Sequence, residues 1–261
     1  VTSWQFSTPP TRPRSPEVVL VVFGRGPLTG PLELPAAAAE LCELRTIDRR
    51  IAPDWFDAWR GGSLRQIAEK DLGPQLAELD ASDHAHVITS SPQAPTDLAY
   101  LQAAWAVARA LAARGASLVL DAHAMTYLPA AKLPAADAAL DVGREVRVVY
   151  ETDSTRADGA HALHTRGLRK FGAPDLIALC TDADASLVGH AIAELADAMA
   201  RGTDLATPKH AVRVAPSVTW VAIEDEYELG ALLQLNNEAR VLVDVAGNHL
   251  AGVLGRIPIT S

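Results

Sequence analysis

Residues Val18-Val19-Leu20-Val21-Val22-Phe23 form an unbroken apolar, largely β-branched run that stops at Gly24. A strand with one wet face alternates apolar and polar residues, so a run without alternation predicts a strand covered on both faces. That requirement dominates what the chain can become. A strand buried on two sides needs elements above and below it, and the segments that follow supply them. Leu34 to Leu44 reads as a helix leading into a short strand, 44–47, and residues 53–80 read as helical. Ser63 with Gln66 is placed as a capping box, and Gly73-Pro74 as an interruption. A strand is predicted over 86–90 and a helix over 96–113, with Leu98, Leu101, Trp105, Ala108 and Ala112 inward and Gly115 as its stop. Another buried-type strand, 117–120, ends in Asp121-Ala122-His123. Strand, helix, strand in this order predicts a crossover unit.

Beyond residue 145 the pattern changes. Segments 146–151 and 160–165 read as an antiparallel hairpin around the polar stretch Asp153 to Gly159. A strand over 176–180 precedes a helix over 184–200, with Leu187, Ala191, Ile192, Leu195 and Met199 inward. Strands are predicted over 218–223, 229–235 and 241–245, with Asn236-Asn237 as a tight turn between the last two. Crossover units mixed with hairpins predict an α+β fold, a mixed parallel/antiparallel sheet with helices packed on it. Residues 1–16 hold four prolines and read as an extended N-terminal arm, with Trp4 and Phe6 as anchors. Residues 17–261 are expected to form a single α+β domain, or two fused α/β halves dividing near 143.

Charge and cysteine content narrow the class of function. The formal net charge is −9, with 32 acidic against 23 basic residues. Such a balance opposes binding to nucleic acid or an anionic membrane, both of which are held by clustered Lys and Arg. It suits docking to a basic protein partner. No run approaches the roughly 20 apolar residues of a spanning helix. Two cysteines, Cys42 and Cys180, make no disulfide framework and fit a cytoplasmic location. Nothing in the motifs calls for a cofactor.

Several motifs carry candidate chemistry. Gly24-Arg25-Gly26-Pro27-Leu28-Thr29-Gly30 follows a strand as a dinucleotide fingerprint would. Its third glycine comes one residue late and its prolines oppose a helix start, so it reads as a loop leaving a strand. His84 and His86 share one strand face and read as a surface pair. Gly61-Gly62-Ser63 lacks the second glycine of a nucleophile elbow, and Cys180 reads as core with Asp182 and Asp184 opposing a thiolate. Asp121 and His123 stand at the carboxyl end of a strand, where α/β sheets gather ligands. Asp-x-His there, with Gly247-Asn248-His249 later, resembles metallophosphoesterases. That resemblance implies Asp121, His123 and His249 as metal ligands and a metal-dependent hydrolase, although the Gly-Asp-x-x-Asp element that supplies a bridging carboxylate is absent.

The densest segment is His161-Ala-Leu-His-Thr-Arg-Gly-Leu-Arg-Lys-Phe-Gly-Ala-Pro-Asp-Leu176. Its H-T-R-G-L-R-K-F-G-A-P-D-L string resembles the signature of a bacterial domain-of-unknown-function family, which implies no activity. On a strand, His164 and Arg166 face away from His161, Leu163 and Thr165, so the two histidines cannot chelate one metal. Two readings follow. In one, His164, Arg166, Arg169, Lys170 and Asp175 form a glycine-hinged structural corner stapled by Arg166 and Asp175, with Arg169 and Lys170 exposed. In the other, they wall an anion-binding cleft. The functional expectation is a non-catalytic binding or immunity-type module. The alternative is a phosphoesterase-like hydrolase whose candidate catalytic residues, Asp121, His123 and His164, would meet in a cleft with Arg166.

Overall fold

In the computed structural model, the Val18–Gly24 run is β1, the middle strand of a five-stranded sheet ordered β2-β3-β1-β4-β5. The structure describes residues 3–10, 14–151, 161–204, 211–215, 218–225 and 228–244. The chain divides into two compact units, Val1–Gln5 with Ser15–Leu140, and Phe6–Arg14 with Asp141–Ser261. The break thus falls between residues 140 and 141.

The first unit runs β1 (Val18–Gly24), α1 (Ala36–Leu41), β2 (Glu43–Asp48), α2 (Pro53–Ala58), α3 (Gly62–Leu72), α4 (Leu76–Asp80), β3 (His84–Ser90), α5 (Ala99–Ala113), β4 (Leu118–Asp121) and β5 (Thr126–Pro129). Every strand pair in its sheet is antiparallel. The apolar run reported burial on both faces, and burial does not require parallel neighbours. On one face Val21 and Phe23 meet Phe56 of α2, Ala68 and Leu72 of α3 and Leu79 of α4. Phe23 and Phe56 stand edge to face with centroids 6.0 Å apart. On the other face α5 lies over β1 and β3, with α1 beside it. Strands β3 and β4 both run antiparallel to the β1 between them, so β3-α5-β4 is a crossover with one strand inserted.

Local signals explain most boundaries. Gly73 takes φ +51 and breaks the helical stretch between α3 and α4. Gly115, at φ +96, ends α5. The expected Ser63 cap is not made. The helix begins one residue earlier, at Gly62, so Ser63 sits inside its first turn, and no side chain caps that end. Trp4 is buried as expected, its amide donating to Gln102 Oε1 and its indole to the Ala138 carbonyl.

The second unit runs α6 (Val142–Glu145), β6 (Arg147–Glu151), β7 (His161–Arg166), β8 (Asp175–Cys180), α7 (Ala185–Ala200), β9 (Ala211–Ala215), β10 (Val218–Glu224), α8 (Leu229–Leu232) and β11 (Ala239–Asp244). Its sheet is ordered β6-β7-β8-β11-β10-β9, with β8 and β11 parallel. One wholly antiparallel sheet and one mixed sheet, both carrying helices, make the chain α+β. The stretch 152–160, most of it the expected hairpin loop, lies outside the described residues. Helix α7 covers β6, β7 and β8. On the opposite face Ala162, Ile177, Leu179, Val241 and Val243 pack with Leu229 of α8.

Two expectations in this unit are corrected. Residues 229–232 are helical rather than extended, because the Asp225 carboxylate accepts the Leu229 and Gly230 amides at 2.8 and 2.6 Å. A strand would have offered those amides to a neighbour. Asn236-Asn237 is therefore no hairpin turn. On α7 the buried stripe is Val188, Ile192, Leu195 and Met199, while Leu187 is half exposed. Ile192, Leu195 and Met199 are inward as expected, and Val188 takes the place assigned to Leu187. The arm residue Phe6 is buried, and the Arg14 guanidinium, 8% exposed, donates to the carbonyls of Phe171, Met199 and Thr203. A cation on the last carbonyls of a helix complements its dipole. Among the described residues no helix is long and apolar enough to cross a membrane.

Gly202 follows α7 at φ +109, and a Cβ there would overlap the Thr8 carbonyl oxygen. Gly202→Ala is expected to lower stability by about 1–3 kcal/mol through left-handed strain and loss of arm packing, read as a reduced midpoint in urea unfolding.

Candidate functional site

The segment between β7 and β8 is a corner in which two glycines permit left-handed backbone, Gly167 at φ +114 and Gly172 at φ +65. Between them Leu168–Phe171 makes one tight helical turn, closed by amide bonds from Lys170 to Gly167 O and from Gly172 to Arg169 O. The turn buries Leu168 and Phe171 as its spacing predicts. It also buries Lys170, which was expected in solvent. The Lys170 ammonium and the Glu145 carboxylate of α6 stand 2.7 Å apart, both side chains with no exposed surface. A tight turn has about three residues per revolution, so 168 and 171 share a side and 170 is driven toward α6. Burial of the charge is tolerated because its counter-charge is buried with it.

Asp175 is the second node. Its Oδ1 accepts the Thr165 hydroxyl at 2.8 Å and the Leu168 amide at 3.3 Å, and its Oδ2 accepts the Asn237 amide group at 2.9 Å. Asn237 also donates to the Ala173 carbonyl, and Thr165 Oγ1 accepts the Leu176 amide. Burial pushes the Asp175 carboxyl up to about 6, against the lowering effect of these donors and of the Arg166 charge. Arg166 does not bond to Asp175. Its terminal nitrogens donate to the carbonyls of Leu233 and Gln234, which follow α8. The staple expected between Arg166 and Asp175 is thus two separate ties, one to each side of the corner.

His164 is fully buried, with Nε2 3.0 Å from Glu151 Oε1 on β6. Desolvation lowers its pKa, outweighing the opposing effect of the Glu151 bond, and keeps the ring neutral at pH 7. His161 points the other way, toward Tyr150, 5.5 Å between ring centroids, and Asp182. Arg169 is half buried. His164, Arg166, Lys170 and Asp175 are thus each held by internal partners. Glu145, Glu151 and Asn237 complete the site and were not found from sequence. No motif marks them, since each is an ordinary polar residue far along the chain from its partner.

In the first unit Asp121 ends β4, and its Oδ1 accepts the amides of His123 and Ala124 at 3.1 and 3.0 Å. This makes it the brace of the turn into β5. His123 is buried, with Nε2 3.8 Å from Glu17 Oε2. Among the described residues no group of three His, Cys, Asp or Glu side chains could hold a metal ion. Gly247, Asn248 and His249 lie outside the described residues. Asp121 and His123 belong to the first unit, and His164 and Arg166 to the second.

The His84 and His86 pair is buried rather than on the surface. Strand β2 covers that edge of β3, and each histidine meets a residue across the ladder: His84 faces Asp48 at 3.6 Å, and His86 Nδ1 lies 2.9 Å from Thr46 Oγ1. Burial raises both thiols, Cys42 and Cys180, to about 11, so neither is a ready nucleophile at neutral pH. Beside Cys42, a groove of about 400 Å³ opens between α1, the start of the edge strand β2 and the end of β3. Its charged lining residues, among those described, are Glu40 and Glu43. No family model, no curated protein and no solved structure matches the chain.

Removing one partner of the buried pair, as in Lys170→Met or Glu145→Gln, is expected to cost about 3–5 kcal/mol in urea unfolding. Replacing both together, with Met and Leu, is expected to restore most of it. Asp175 gives a pH signature. Its folded pKa is raised, so its contribution to stability is full below about 4 and is lost as pH rises through about 6. The stability difference between wild type and Asp175→Asn should shrink from pH 4 to pH 7. A constant difference would contradict the assignment.

Proposed function

We propose that the chain is a non-catalytic binding or immunity-type module that docks a basic protein partner. The observation that carries this reading is the groove beside β2, where Glu40 and Glu43 are the charged lining residues among those described and both are exposed. A concave site of one charge sign draws a complementary partner and orients it. The net charge of −9 acts in the same direction at longer range. The internal bonding of the corner supports a scaffold role for it, because Arg166, Lys170 and Asp175 each bond to internal partners. Asp121 bracing a turn gives no support to the phosphoesterase alternative. The proposal keeps the protein in the bacterial cytoplasm, in the family that the H-T-R-G-L-R-K-F-G string resembles.

The test is titration with a synthetic deca-lysine peptide, followed by calorimetry at low and at physiological salt. Binding is expected to weaken with salt, and about tenfold in the Glu40→Lys/Glu43→Lys variant. Equal binding by variant and wild type would overturn the proposal. So would metal-dependent hydrolysis of a phosphoester that disappears in Asp121→Asn.

A further inference from the structure

The Gly24–Gly30 loop, set aside as a dinucleotide fingerprint, roofs a cavity of about 230 Å³ in the first unit. Its floor is His86 and its far wall the end of α5, around Leu111 and Arg114. Three observations distinguish this cavity from an ordinary strand exit. First, its charged lining residues, among those described, are Arg25 and Arg114, in a chain that carries nine excess negative charges. Second, the backbone amides of Gly26 and Leu28, both half-buried residues, have no acceptor among the described residues. Third, His86 is only 2% exposed, and while its Nδ1 meets Thr46, its Nε2 has no partner among the described residues. That nitrogen lies 3.8 Å from the position a Cβ on Gly24 would take, directly under the loop. The nitrogen is not sealed in the interior; it opens to the cavity that His86 lines, where a ligand oxygen can reach it.

Arg114 also holds the loop in shape. Its guanidinium donates to the carbonyls of Thr29 and Pro31, which ties the loop to the end of α5. Arg25 is exposed at the rim, bonded to Glu78 at 2.9 Å, an exposed pair that a ligand can displace at little cost. Burial and the neighbouring His84 hold the His86 pKa down to about 4, so at neutral pH the ring is uncharged. The Thr46 hydroxyl can donate to Nδ1, which leaves Nε2 as an N–H donor into the cavity.

We propose that this cavity binds a small anionic ligand carrying a phosphate group, held by the Arg25 guanidinium, the loop amides and the His86 imidazole. Backbone amides in a glycine-rich loop suit a phosphate oxygen, and a planar guanidinium suits two of them. The volume lies below the roughly 300–1,000 Å³ of drug-sized pockets, which limits the ligand to a small monoester or inorganic phosphate. This site is separate from the acidic groove, and either can fail without the other.

The experiment titrates the full chain with inorganic phosphate and, separately, glycerol 3-phosphate, using acetate as the carboxylate control. Calorimetry gives the affinity, and the imidazole resonances of His86 are followed by NMR. Phosphate or glycerol 3-phosphate is expected to bind more tightly than acetate and to shift the His86 resonances. Arg25→Ala is expected to weaken binding about tenfold with unchanged thermal stability. Equal affinity for acetate, an unmoved His86 signal or full affinity in Arg25→Ala would each overturn the assignment. His86→Ala is the second variant. Should it not fold, the wild-type His86 signal still decides.

Discussion

Moving an ammonium and a carboxylate out of water costs several kcal/mol for each ion, and a fold accepts that only where each finds the other. Lys170 and Glu145 meet that condition at 2.7 Å with no exposed surface. The pair fixes the tight turn against α6, and the turn sets how β7 hands the chain to β8. Asp175 then ties the first residue of β8 to Thr165 on β7 and to Asn237 ahead of β11. The parallel pairing begins there, with Ala239 opposite Asp175. A chain of polar contacts therefore sets the register of the central strands of the second unit, which apolar packing alone would specify only to one face or the other.

The first unit is organised differently. Its sheet is held by apolar layers on both faces of β1, and its polar groups sit at the strand ends. His84 and His86 are covered because β2 runs beside β3. At one end of β1 the glycine loop encloses a cavity with arginine at its rim, and beyond the far end of β3 a groove carries glutamates. These two concave features of the unit thus carry charged linings of opposite sign.

Much of the fold was legible because it rests on local periodicity. The burial of β1, the crossover through α5, the break at Gly73 and the hairpin of β6 with β7 all follow from spacing and from glycine or proline positions. The misreadings turn on partners that residue type and period do not reveal. Leu229 to Leu235 has strand-like composition, yet the Asp225 carboxylate claimed its amides and made a helical turn. Leu187 was assigned inward, yet Val188, one residue on, is the buried position at the start of the α7 stripe. Lys170 was assigned to solvent because lysine usually is, and its partner Glu145 lies 25 positions away. Asn237, 62 positions from Asp175, was invisible for the same reason.

By itself the sequence determined the α+β class, the two glycines that hinge the corner, the opposite facing of His161 and His164, and an acidic net charge of −9. These depend on residue type and on periods of 2 and 3.6, which act over a few residues. Tertiary structure alone decided which polar groups are consumed internally and which still face a cavity. Arg166 and Asp175 looked like one staple and proved to be two ties, while His86, read as a surface residue, became the floor of a cavity. Hydrogen-bond satisfaction is a property of whole neighbourhoods, assembled from segments that no local pattern connects.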